Sequence, residues 1–224
     1  MTPGALLLDL DGTLLDTPAA ITTTLQVVLG PGVDPAAIRR TIGKPLDTSI
    51  AGLLGVSPDD TAVHDAVVQY RLRFARDVVP AAGDLILPGV VAGLETARRA
   101  GLRTAIVTSK VRSSAVALIE AAHLDGYLDR VVCHDMVARG KPQPDLAQYA
   151  AELLDIPIHH CVVVGDGVDD IRMALAAHAR AVGVTTGVGT AWELWAAGAD
   201  DVVNGFGDAV RAGARLLGLA SVAP

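Results

Sequence analysis

Four short stretches of this 224-residue chain gather the residue types that handle phosphate and hard cations. Asp9 and Asp11 flank Leu10 and run into Gly12 and Thr13. Thr108, Ser109 and Lys110 form a second group, and Lys141 stands in the run GKPQPD at 140–145. The fourth stretch holds Gly165, Asp166, Gly167, Val168, Asp169 and Asp170. Five carboxylates at two such places repel one another when a fold brings them into one cleft, and a hard divalent cation such as Mg²⁺ is the natural compensation. A hydroxyl at Thr108 and an ammonium at Lys141 add the donors a phosphoryl group needs. Each piece alone has an ordinary explanation, because Asp after a strand often caps a helix and Gly-rich segments often form turns. Their convergence is what points to metal-assisted phosphate chemistry.

Short strands must position these groups. Runs of β-type residues recur at 5–10, 103–108, 130–134, 161–166, 180–185 and 200–204, four of them apolar throughout, as strands buried on both faces require. Between the later ones lie helix-sized segments: Val90 to Ala100, Arg112 to His123, Asp145 to Leu154 and Asp169 to His178. The alternation predicts an α/β fold with a doubly wound parallel sheet, in which ligands sit at the carboxyl ends of strands. The first, second and fourth strands end in the chemical groups above. More than 90 residues separate Asp9 from Arg103, whereas a crossover needs about a dozen. The surplus reads as a helical insert, with helical patterns at 18–30, 34–42, 46–54 and 58–78, prolines at 18, 35 and 58, and Asp34 and Ser57 as N-caps. Residues 1–15 and 84–224 then make the sheet domain and 16–83 the helical domain, with Gly83 at the second junction expected to absorb backbone rotation. The insert balances six basic against six acidic residues between 18 and 78, so the net charge of −7 belongs to the sheet domain.

LLLDLDGTLLDT at 6–17, VTSK at 107–110, GKPQPD at 140–145 and VVVGDGVDD at 162–170 together resemble the haloacid dehalogenase superfamily. The likeness is to the branch with a helical cap inserted after the first strand, similar to phosphoglycolate phosphatases, and it covers nearly the whole chain. The resemblance implies a Rossmann-like core and a Mg²⁺-dependent phosphatase for a small phosphorylated metabolite, phosphoglycolate-like. It makes Asp9 the nucleophile that forms an aspartyl-phosphate. Asp11 would protonate the leaving oxygen and then deprotonate the hydrolytic water. Thr108 and Lys141, with loop amides around Leu10, Asp11 and Ser109, would hold the phosphoryl oxygens. Asp9, Asp11, Asp166 and Asp170 would surround the metal, with Asp169 the rival of Asp170 because the doublet leaves the register open. Gly167 departs from the Ser or Thr of many relatives. A sugar phosphomutase shares Asp9, Asp11 and the cap, and a pyrophosphatase is a third enzyme reading. Phosphonate hydrolysis would need a cap lysine, of which Lys44 is the only one, and Asp11 disfavours both that chemistry and dehalogenation. Outside enzymes, a phospho-receiver is excluded by the insert. A phosphatase-derived binding module is weakened because Asp9, Asp11, Thr108, Lys141 and Asp166 are all in place.

Composition bounds the partners. A pI near 5.2, with no basic cluster beyond Arg71, Arg73 and Arg76, argues against nucleic acid. Charges or prolines interrupt every apolar run well short of the ~18 residues that a membrane span needs. No basic segment precedes the apolar residues 5–8, so a cytoplasmic protein, monomer or homodimer, is expected. Cys133 and Cys161 lie in Val-rich runs and read as inert thiols. His159 and His160 fall at the far end of their strand from the chemistry, and Trp192 and Trp195 read as packing residues. The three cap arginines read as a solvated face from which one, or Lys44, could reach an anionic substrate. The terminal SVAP is expected to fray.

Overall fold

Every residue of β1 (Ala5–Leu8) is buried, which follows from its place at the centre of a sheet covered on both faces. The structure is a computed structural model describing residues 4–219; the SVAP tail lies outside them. Six parallel strands, β1, β2 (Arg103–Thr108), β3 (Arg130–Cys133), β4 (Cys161–Gly165), β5 (Arg180–Val184) and β6 (Asp201–Val203), run in the order β3-β2-β1-β4-β5-β6. The chain therefore winds outward from β1 in one direction and then returns to continue from β4 in the other. The carboxyl ends of β1 and β4 form the switch point of a doubly wound sheet.

Period-two alternation divides the core. Leu6, Leu8, Ile106, Val162 and Val164 face one layer, built by α5 (Val90–Arg99), α6 (Arg112–Ala121) and α10 (Phe206–Leu216). Leu7, Ala105, Val107 and Val163 face the other, built by α7 (Asp145–Leu154), α8 (Val168–Ala176) and α9 (Ala191–Ala196). The insert contributes α1 (Pro18–Leu29), α2 (Pro35–Arg39), α3 (Leu46–Leu54) and α4 (Thr61–Asp77). Its ends are clasped together where they leave the sheet: Asp16 donates to the Leu85 carbonyl at 2.7 Å and Leu87 to Leu14 at 3.0 Å. Gly83, expected as a point of rotation, lies within a 3-10 helix spanning Val79–Leu85.

Two expectations change. Asp60, not Ser57, caps α4, because its carboxylate accepts from the Ala62 amide at 2.9 Å. Ser57 accepts from Asp59 in the preceding turn instead. Trp192 and Trp195 are 77% and 51% exposed rather than packed, because the short helix α9 turns Leu194 inward. No described helix is long and apolar enough to cross a membrane.

Candidate active site

The end of β1 delivers two carboxylates into different surroundings. Asp9 stays beside β4, its amide donating to the Val164 carbonyl at 2.9 Å. Its carboxylate forms an ion pair with Lys141, whose ammonium also lies 2.6 Å from Asp170 Oδ1. Asp166, one residue beyond β4, accepts at Oδ2 from the Val188 amide (2.7 Å) and at Oδ1 from Thr13 Oγ1 (3.3 Å). Asp170, in the first turn of α8, accepts at Oδ2 from the Gly167 amide at 3.0 Å. Oxygens of Asp9, Asp166 and Asp170 all lie within 4.8 Å of one another. None of these three residues is more than 5% exposed.

One ammonium among three buried carboxylates leaves an excess of two negative charges when all are ionised. The site responds as electrostatics requires. Burial, reinforced by the other carboxylates, raises Asp9 well above the usual carboxylate range despite the opposing pull of Lys141. Burial and the neighbouring Asp170 push Asp166 up to about 7. Burial alone would lower Lys141, but Asp170 and Asp9 outweigh it and hold the ammonium charged. The Lys141 ammonium thus bridges Asp9 and Asp170. Carboxylate oxygens alone, carrying more negative charge than one ammonium offsets, are a donor set that fits a hard divalent cation.

Asp11 is held differently. Thr17 Oγ1 donates to its Oδ1 at 2.5 Å and Lys110 Nζ lies 3.1 Å from its Oδ2. The Asp11 carboxylate therefore does not join the three that converge. Asp169 stays outside as well, paired at 3.7 Å with Arg172. The buried Thr108 hydroxyl accepts from the Lys110 amide at 3.2 Å, which leaves its own proton free to donate. Ser109 Oγ is buried without a hydrogen-bond partner among the described residues. Between these strand ends and the insert lies a cavity of about 100 Å³, reached by Asp9, Asp11, Thr108 and Lys110 from the sheet and by Tyr70 and Phe74 from α4. Burial, and then the Asp11 charge, raise the Tyr70 phenol well above its usual range.

Several participants escaped the sequence reading. Thr13 and Thr17 sit within LLLDLDGTLLDT, but their hydrogen bonds to Asp166 and Asp11 depend on the turn that follows Asp11, in which Gly12 takes φ 82°. The loop after β5 was overlooked although it too follows a strand end, the signal that would have found it. There Gly187 packs so closely that a Cβ would stand 1.9 Å from Asp166 Oδ2, and Arg39 of the insert donates to its carbonyl at 2.8 Å. Gly187→Ala should displace the Asp166 carboxylate and lower kcat by about tenfold or more, as other losses of support around metal-binding carboxylates do. Steady-state turnover alongside an unchanged circular-dichroism spectrum checks this, and wild-type kcat would refute it.

The sulfur chemistry is inert: both cysteines are free and buried, and burial first of all pushes Cys133 up to about 11 and Cys161 to about 12. His159 and His160 precede β4, at the amino end of the strand.

With this geometry in view, the likeness to known proteins is specific. The family model described as haloacid dehalogenase-like hydrolase matches residues 3–178. A protein of Dickeya dadantii named probable phosphatase IndB is 42% identical over 217 residues, spanning 95% of this chain and 94% of its own. A plasmid-borne phosphoglycolate phosphatase of Cupriavidus necator is 34% identical, spanning 98% and 95%. A crystal structure of a putative haloacid dehalogenase-like hydrolase from Bacteroides fragilis superimposes with TM-score 0.84 at 25% identity, covering 93% of this chain and 100% of that one.

Proposed function

Because the chain belongs to the haloacid dehalogenase-like hydrolases and is a phosphatase among them, we propose that it hydrolyses a small phosphorylated metabolite through an aspartyl-phosphate on Asp9. The observation that carries this is the buried Asp9 carboxylate, fixed at Oδ1 by Lys141 and reaching the same cavity as Asp11. Among the described residues nothing hydrogen-bonds Asp9 Oδ2, which is the oxygen left to attack. Attack forms a bond from that oxygen to phosphorus and breaks the ester bond. The Asp11 carboxyl gives its proton to the departing alkoxide. A water then attacks the same phosphorus, its proton passes to Asp11, and the bond to Asp9 breaks to release inorganic phosphate. Lys141, Thr108 and the amides of Leu10, Asp11 and Ser109 steady the phosphoryl oxygens while charge shifts between them.

Asp9, Asp166 and Asp170 would hold Mg²⁺, which supplies positive charge to the phosphoryl group and offsets the surplus of carboxylates. Asp11, turned to Thr17 and Lys110, keeps its side chain for proton transfer. Residues 1–15 and 84–224 form the catalytic domain, and 16–83 a cap that closes over the strand ends and excludes water. Relatives named phosphoglycolate phosphatase make 2-phosphoglycolate the first candidate substrate.

Turnover of p-nitrophenyl phosphate should require Mg²⁺, disappear with EDTA and return when Mg²⁺ is restored, with Ca²⁺ a poor replacement because it relaxes octahedral geometry. Undiminished activity in metal-free buffer would remove the metal from this account. A screen of phosphorylated metabolites for released phosphate then identifies the substrate, and no turnover of any ester would favour a binding module.

A further inference from the structure

Three cations reach the cavity beside Asp9 and Asp11, and they are not equivalent. Lys44 and Arg71 of the cap are exposed at its mouth. Lys110 is drawn inward, its side chain only 13% exposed. Its ammonium lies 3.1 Å from Asp11 Oδ2 on one side and 4.7 Å above the Phe74 ring on the other. The ring orients the charge without consuming an N–H donor. Asp11 can engage one of the three donors, which leaves donor capacity for a ligand in the cavity that Lys110 lines. Asp11 does not depend on Lys110 for its position, because Thr17 already fixes its other oxygen.

His134, at the end of β3, donates its amide to the Lys110 carbonyl at 3.0 Å and lines the same cavity. Its buried Nδ1 is turned away to Gly140, where an added Cβ would stand 2.5 Å from it. Most of the remaining wall is apolar, formed by buried Ile21, Leu25 and Phe74. An anionic leaving group could enter such a wall only where a fixed cation meets it.

On the footing of the phosphatase reading above, we infer that Lys110 is a specificity residue. It recognises a carboxylate carried by the substrate next to the ester oxygen. Discrimination between acidic and neutral phosphate esters then rests on one side chain of the sheet domain rather than on the cap's exposed cations.

A matched pair of substrates tests it: 2-phosphoglycolate and 2-hydroxyethyl phosphate differ by a carboxylate against a hydroxymethyl group. The wild type should prefer the acid. Lys110→Met, which keeps the apolar stem against Phe74, should shrink the ratio of the two kcat/KM values by about tenfold or more, chiefly through KM for the acid, as expected for loss of a charged hydrogen bond. Lys110→Arg should restore most of the ratio, and melting temperatures establish that the variants fold. An equal fall on both substrates would mean that Lys110 acts through Asp11 and would overturn the assignment, as would a wild type indifferent to the carboxylate. Absence of p-nitrophenyl phosphate turnover by the wild type would instead bring down the phosphatase reading and this inference with it.

Discussion

Asp9→Asn should reduce phosphate release to the assay background while leaving the fold intact. The amide is nearly isosteric with the carboxylate but has no charged oxygen with which to attack phosphorus, so a nucleophile is lost without a cavity being made. The stability argument has two opposed parts. Asp9 loses its ion pair with Lys141, yet Lys141 keeps Asp170 at 2.6 Å. The site at the same time sheds one of its mutually repelling carboxylates, whose burial already raised the cost of ionising it. A melting temperature close to or above that of the wild type is therefore the expected result, because replacing a buried charge within an over-charged cluster is commonly neutral or favourable. Acid-quenched wild-type enzyme should carry covalent phosphate and the variant none. Appreciable turnover by Asp9→Asn would refute the aspartyl-phosphate route.

Lys141→Ala should cost on the order of 10²-fold or more in kcat, the scale on which other transition-state charge contacts are felt. Lys141 is 7% exposed and touches both the attacking residue and a proposed metal ligand, so its removal leaves Asp9, Asp166 and Asp170 facing one another without a cation. Breaking a buried pair by removing one partner typically destabilises by about 3–5 kcal/mol. Protonation of the carboxylates, already shifted upward at Asp9 and Asp166, relieves part of that cost near neutral pH. Mg²⁺ should accordingly raise the melting temperature of Lys141→Ala more than that of the wild type, because the added ion replaces the missing positive charge. A rate within a few-fold of wild type would show that Lys141 does not touch the reacting phosphoryl group.

Local pattern carries most of the architecture in this chain. Val-rich runs such as CVVVG can be satisfied only as strands covered on both faces, and Pro18 and Pro35 open helices because their fixed φ suits the first turn. Where several local solutions compete the pattern is silent. Ser57 and Asp60 are both good caps, and the outcome turned on which oxygen reaches a free helix amide. Trp192 and Trp195 share a helix face whose burial depends on what packs above it, and among the described residues too little does to bury either.

The candidate site divides along the same line. Residue type together with the strand-end rule is enough to nominate Asp9, Asp11, Thr108, Lys141, Asp166 and Asp170, because chemistry in a parallel sheet must occur where the strands end. Choosing between Asp169 and Asp170 required the helix: at the third position of α8 a side chain folds back over its own first turn, and Asp170 does so onto the Gly167 amide while Asp169 points to Arg172. Separating Asp11 from the three converging carboxylates required the turn at Gly12, which brings Thr17 within 2.5 Å of it. The roles of Thr13, Val188, His134 and Lys110 depend on contacts between segments 22 to 153 residues apart and on the approach of α4 to the strand ends. Sequence by itself determined which chemistry this protein is equipped for, since residue types and strand ends are local properties. Only the tertiary structure decided which oxygen meets which cation, because those distances are set by packing between elements that no local pattern encodes.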